Sequence, residues 1–323
     1  MKRKISVKSI WNILKNSASA FSVDKVTKLS GSLAYYTVFA LAPLLIIIIS
    51  LSGIFFGQEA AQGKVYRQLA DFLGPDTALQ LQQIIKNASL AGKSKVAAII
   101  GGITLLIGAT TVFAEIQESI NMIWGLKPKP KRGWLKMLKN RFLSFSIIIS
   151  LGFLLLVSLT ITTVIDGFSN HLMAHFPQIA VVVFYILNLV ITLVVITLIF
   201  GVIFKVLPDA KIKWKDVLAG AIATGVLFMI GKFGISFYIS KSSVGSTYGA
   251  AGSLMIVLLW VYYSAIILYF GAEFTKAYAV EFGSEIYPDD YAVTTKTVEV
   301  ETGKRSVQQK EHTDIKTIKI EKK

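Results

Sequence analysis

The sequence predicts an all-α fold: a polytopic membrane protein with six transmembrane helices and both termini in the cytoplasm. Three observations predict it. The 323 residues are 54% hydrophobic with a mean hydropathy of +0.61, above the range of ordinary soluble domains. Six apolar stretches each reach the roughly 20 residues that a helix needs to cross a bilayer. Of the 34 Lys and Arg, 27 fall on the termini and on alternate connections, and six fall on the other connections. That bias marks the cytoplasmic side. It accounts for the net charge of +15 as a topology signal and not as a nucleic-acid footprint. Backbone groups in lipid must be paired within the segment, so the spans are helices.

The N-terminal arm, residues 1–32, is basic and amphipathic. Trp11, Leu14, Ala18 and Phe21 recur at i, i+3, i+7 and i+10. This predicts a helix that lies on the membrane surface or packs on the cytoplasmic ends of the spans. The first span, Leu33–Phe56, follows. It is long for a signal sequence, which makes it a retained span. Pro43 removes one helical hydrogen bond and kinks it. Tyr35, Tyr36, Thr37 and Ser50 are nearby polar groups able to face a cavity, or else to pack against neighbouring helices. The 57–95 connection is the largest outer element. Val65, Leu69 and Phe72 share one helical face, and Leu81, Ile84, Ile85 and Ala88 another, around Gly74-Pro75-Asp76. The pattern predicts an amphipathic helical hairpin.

The second and third spans are read as Val96–Ala114 and Phe142–Ile165. Between them the KPKPKR run, Lys127 to Arg132, anchors the topology and attracts anionic head groups. The fourth and fifth spans are Ile179–Phe204 and Val217–Ile239. In the fifth, Ala221-x-x-x-Gly225 suits close helix contact. Lys232 lies inside the same span, and an ionisable group there faces a polar cavity, a partner or an interface. It sits about 10 Å from the outer end of the helix, within partial reach of snorkelling. The sixth span is Gly249–Gly271. The short link SVGSTYGAAGS, Ser243 to Ser253, forces the fifth and sixth spans into an antiparallel hairpin. Tyr248 there sits at interface depth, and Gly249 lets the turn pack closely. Glu273 marks the inner end of the sixth span. Residues 33–283 form the membrane domain. Residues 284–323 are polar, with nothing to build a core, and read as a flexible cytoplasmic tail.

Motifs for chemistry are sparse. There are no cysteines, which excludes disulfides, thiolate catalysis and cysteine metal sites. Gly92-Lys93-Ser94 resembles the end of a phosphate loop, but Asn87 stands where the earlier glycine is required. His171 and His175 are spaced for a metal on one helix face, without a third ligand nearby. No Ser-His-acid arrangement is visible. The expectation is a protein that is not an enzyme, with no cofactor, no metal and no nucleic-acid partner.

Leu33-Ala34-Tyr35-Tyr36 with Pro43, then Tyr248-Gly249, Trp260-Val261-Tyr262 and Gly271-Ala272-Glu273, together with six spans, resemble the YihY/BrkB family of bacterial inner-membrane proteins. The resemblance covers about residues 10–280. It implies a role in envelope biogenesis, with movement of a lipid or an envelope precursor. It brings no catalytic residues. The family has also carried the label ribonuclease BN, for which this sequence shows no metal centre.

The functional expectation is transport of a lipid, envelope precursor or other amphipathic solute. The candidate cavity residues are Tyr35, Tyr36, Pro43, Lys232, Tyr248, Gly249 and Glu273. Membrane lipids are the expected partners, and an anionic lipid or envelope precursor the expected substrate. A non-transporting scaffold for envelope biogenesis is the alternative, and a membrane-bound ribonuclease the remote one. The oligomeric state is open.

Overall fold

The computed structural model describes residues 6–40, 95–128, 177–241, 251–283, 285–290 and 292–295, with short helical pieces between 62 and 82. The outer hairpin, the third span, the two histidines and the stretch from Ser243 to Ala250 lie largely or wholly outside the described residues.

The described chain is mainly helical. Helix α1 is Val7–Val23, and Ser6 caps it by accepting a bond from the Ser9 N–H at 3.2 Å. Asp24 ends it, and Lys25 takes a positive φ of 52° to turn the chain into α2, residues 26–40. Helix α3 is Lys95–Ile123, α4 is Pro177–Val206, α5 is Trp214–Lys241 and α6 is Gly252–Phe282. Among the described residues three helices are long and apolar enough to cross a membrane, over Ile186–Val206, Trp214–Ile239 and Leu254–Phe282.

Helix α5 packs on α4 by one face and on α6 by another; α1 lies against α6, and α3 also touches α6. The α5–α6 contact is made by small residues in reciprocal pairs. A Cβ on Gly220 would lie 1.8 Å from Oγ1 of Thr275 and 3.0 Å from its Cα. A Cβ on Gly271 would lie 2.1 Å from Oγ1 of Thr224. Each glycine thus admits the opposing threonine. Each threonine hydroxyl donates at 2.7 Å to a carbonyl of its own helix, Thr224 to Gly220 and Thr275 to Gly271. Gly231 meets the Tyr263 hydroxyl further along. The paired numbers fall on α6 as they rise on α5, so the two helices run antiparallel, as the short link requires. On the other face, Ala221 meets Gly201, and Gly225 meets Thr197. This is the close contact that the Ala221/Gly225 spacing foreshadows.

The helices outrun the apolar spans. Helix α3 continues nine residues past Ala114, and α6 continues eleven past Gly271. At 1.5 Å per residue, helices of 29 to 31 residues reach about 45 Å, against a hydrocarbon core of about 30 Å. The extra turns gather with α1 at one end of the bundle, here called the arm end. Ile116, Ile120, Ile123 and Trp124 of the α3 end pack there with Phe204, Leu207, Val217, Tyr269 and Ala272. By contrast Val182, Ile186, Val190 and Val194 of α4 and Phe233 and Phe237 of α5 are exposed, as lipid-facing side chains are.

Four short strands knit the arm end and add to the all-α expectation. Strand β1 is Leu126–Pro128, β2 is Ala210–Lys211, β3 is Tyr287–Pro288 and β4 is Ala292–Thr294. β1 pairs antiparallel with β4, and β2 with β3. Gly125, at φ +70°, makes the turn from α3 into β1, and its carbonyl accepts from the Thr295 N–H at 2.7 Å. The sequence expectation placed a tail from 284 onward. Its first residues instead run back across the bundle as strands, because the connections after α3 and α4 offer them free edges.

A methyl group at Gly220 has no route around the Thr275 backbone. Gly220→Ala is expected to destabilise the detergent-solubilised protein by about 1–3 kcal/mol in a thermal melt. Gly234→Ala, where no described atom lies within 4 Å of the new Cβ, is expected to be neutral or slightly stabilising.

Candidate functional site

Two polar clusters occupy the arm end. The first centres on Asp209, in the connection between α4 and α5. Gln117 and Asn121, one turn apart on α3, donate to its two carboxylate oxygens, each at 3.0 Å. Asn121 accepts from the Asp209 N–H at 2.8 Å, and the Asp209 carbonyl accepts from the Asp289 N–H at 3.0 Å. Asp209 is 1% exposed. Close by, Trp124 Nε1 donates to the Ala272 carbonyl at 3.1 Å, and Lys276 donates to the Ile123 carbonyl, capping the end of α3. This cluster joins α3, the α4–α5 connection, α6 and the C-terminal segment. Its carboxylate is satisfied on both oxygens, so it anchors the fold and offers nothing to a ligand.

The second cluster lies between α1 and α6. Ile13, Ser17 and Ala20 of α1 face α6, and Phe21 meets Phe270 with ring centres 6.3 Å apart. A cavity of about 210 Å³ remains between the helices, lined by Asn12, Asn16, Ser17, Glu273, Lys276 and Glu281 among others. Ser17 donates to the Ile13 carbonyl at 2.8 Å. Glu273 is 1% exposed, and among the described residues its Oε1 has no hydrogen-bond partner. Asp24 at the end of α1 comes within hydrogen-bonding reach of Glu273. A buried carboxylate oxygen without a donor costs free energy. The cavity beside it makes Glu273 a candidate for ligand contact.

A wider cleft of about 870 Å³ opens on the same end between the β2 connection and the segment after α6. Lys205, Lys211 and Lys213 line it together with Glu285 and Asp289. Lys205 donates to the Ile212 carbonyl and lies 5.8 Å from the ring centre of Trp214. Lys211 pairs with Asp290 at 2.8 Å, and that hydrogen bond raises the ammonium above its ordinary range. The Lys211–Asp290 pair is exposed, and such pairs contribute little.

The other sequence candidates are scattered. Tyr35 and Tyr36 are exposed on α2, their rings edge-to-face with centres 5.5 Å apart. Thr37 folds its hydroxyl onto the Leu33 carbonyl at 2.7 Å. Lys232 is half-buried on α5, one residue from Gly231 and so level with Tyr263 of α6. Glu273 lies ten residues further along α6, about 15 Å away along the axis, and the fold does not bring the two together. Pro43, Tyr248 and Gly249 lie outside the described residues. Asn12, Asn16, Asp24 and Lys276 join Glu273 without having been singled out from the sequence. Asn12 and Asn16 recur at i, i+4 beside the Trp11 stripe, which was the available signal.

Residues 17–290 match the family model described as virulence factor BrkB. The chain belongs to the virulence factor BrkB family. The match takes in Asp209, Lys232, Glu273, Lys276 and Glu281 and begins at Ser17, just after Asn12 and Asn16. A UPF0761 membrane protein of Pseudoalteromonas atlantica is 25% identical over 264 residues, covering 81% of this chain and 84% of its own. A UPF0761 membrane protein of Tolumonas auensis is 28% identical over 260 residues, covering 78% and 80%. One of Pseudomonas aeruginosa is 28% identical over 261 residues, covering 79% of this chain and 60% of its own. No solved structure matches. These relatives are named as membrane proteins, and their names carry no reaction. With its long apolar helices, the BrkB-family chain is a membrane protein.

Truncating Asp209 would leave the buried amides of Gln117 and Asn121 without acceptors. Asp209→Ala is expected to destabilise the protein by about 2–5 kcal/mol, read as an early melting transition in detergent.

Proposed function

We propose that this BrkB-family protein is a six-span protein of the bacterial inner membrane, with cytoplasmic termini, that moves a lipid, envelope precursor or other amphipathic solute. The observation that carries the reading is Glu273: a buried carboxylate with an unpartnered oxygen, among the described residues, beside a cavity on a membrane helix. Ionisable groups are costly in such helices, and those retained are typically functional. The helix exteriors suit lipid contact, and the end of the charge-free run 242–272 at Glu273 supports a cavity at headgroup depth. Lys232, half-buried and nearer the other end of α5, is the second polar station along the path, suited to a headgroup phosphate. The sequence carries no nucleotide-binding motif, so movement is passive, coupled to an ion, or driven by a partner.

A non-transporting scaffold for envelope biogenesis is the second reading. The strand pairs of the C-terminal segment favour it, because they fix where the tail leaves the bundle.

The test is translocation of labelled lipids and envelope precursors in vesicles reconstituted with the purified protein. The parent is expected to exceed empty vesicles. Glu273→Gln is expected to lower the rate about tenfold, the loss of one charge-assisted contact, and Lys232→Ala is expected to lower it as well. Parent rates equal to empty vesicles, with function in cells lost on removal of 296–323, would favour the scaffold.

A further inference from the structure

We propose that the cavity between α1 and α6 binds the headgroup of an amine-bearing, zwitterionic phospholipid. This rests on the transport reading and names the substrate class for its site. The lining sets the charge requirement. Glu273 and Glu281 supply carboxylates, Lys276 an ammonium, and Asn12 and Asn16 amides. A purely anionic headgroup would meet two carboxylates, and a bare cation would meet the lysine. A zwitterion satisfies both ends. Its ammonium donates to the Glu273 carboxylate, and its phosphate accepts from Lys276 and the asparagine amides. Lys276 gives one N–H to the Ile123 carbonyl, and its ammonium carries two more.

Glu273 makes the amine specific. Its Oε1 is buried and lacks a donor among the described residues. A primary ammonium brings N–H donors to that oxygen, whereas a quaternary ammonium brings only methyl groups. The cavity, at about 210 Å³, far exceeds the ~10–15 Å³ that one water occupies on such a measure. A ligand of several heavy atoms fits it better than a single solvent molecule.

Position points to a lipid over a soluble zwitterion. The cavity begins where the charge-free run of α6 ends, at Glu273. Ile13, Ala20, Ala277 and Val280 give it an apolar rim, and Val280 is 78% exposed. On α1, Trp11 is 68% exposed and Ile10 is exposed too, so the helix keeps an apolar edge turned away from α6 and toward lipid. The headgroup enters between two helices whose outer edges contact the acyl region.

The experiment is native mass spectrometry of the full chain after equilibration with mixed micelles of phosphatidylethanolamine, phosphatidylcholine and phosphatidylglycerol in equal amounts. Phosphatidylethanolamine is expected to be retained about tenfold over phosphatidylcholine. Glu273→Gln is expected to erase that preference while keeping the parent's melting temperature. Should Glu273→Gln fail to fold, Asn16→Trp, on an exposed position of the lining, fills the cavity and is expected to have the same effect. Equal retention of the ethanolamine and choline lipids, preference for phosphatidylglycerol, or an unchanged preference in a folded variant overturns the assignment. Retention of free phosphoethanolamine without the lipid also overturns it, in favour of a soluble ligand. Binding is read without translocation, so selective retention in a protein that moves no lipid would count against the transport reading alone.

Discussion

The bundle depends on the close approach of α5 and α6. In lipid no hydrophobic force drives two apolar helices together, so contact must come from packing. Gly220 receives Thr275 and Gly271 receives Thr224, two pairs related by the antiparallel run of the helices. Both threonine hydroxyls are satisfied within their own helices, so the contact adds no unpaired polar group where water is absent. These pairs fix the register. They place Lys232 level with Tyr263 and Glu273 near the arm end, about 15 Å apart along the axis.

The second constraint is length. Helices of 28 to 31 residues exceed the bilayer, and the surplus must find partners. At the arm end it does so twice. Apolar positions of α3, α4, α5 and α6 form a core, and Asp209 joins α3 to the α4–α5 connection and the C-terminal segment through hydrogen bonds that span 88 to 92 residues of sequence. This end contrasts with the α1–α6 contact, which leaves a cavity and, among the described residues, a carboxylate oxygen without a partner. Both carboxylates lie at the arm end. The first reads as structure and the second as a place for a ligand.

Hydropathy located the fourth, fifth and sixth spans, and the small-residue spacing located the tight Ala221/Gly225 contact, because both are local properties of the chain. Hydropathy stopped α3 nine residues and α6 eleven residues too early. Hydropathy registers lipid contact, whereas the helix continues as long as a face can be buried, as at Ile116, Ile120 and Ile123. The arm illustrates a different limit. Trp11 and Ala18 of the apolar stripe are exposed, while Ile13 and Ser17 are buried against α6. The stripe described an amphipathic helix correctly but not which edge its protein neighbour would take, and here the polar edge carries the cavity. Asp209 was invisible, because nothing local pairs residue 209 with residues 117 and 121. Glu273 was legible as a charge ending an apolar run, but its burial came only with α1 laid over it.

The account turns on whether the space between α1 and α6 is a binding site. An experimental density map of the protein in nanodiscs containing phosphatidylethanolamine addresses this most directly. The account expects headgroup density between Asn16 and Lys276, with its amine on the Glu273 carboxylate and its acyl chains leaving past Val280. Helix α1 packed flush on α6 with the space closed, or α1 lifted away and Glu273 open to bulk water, would contradict it.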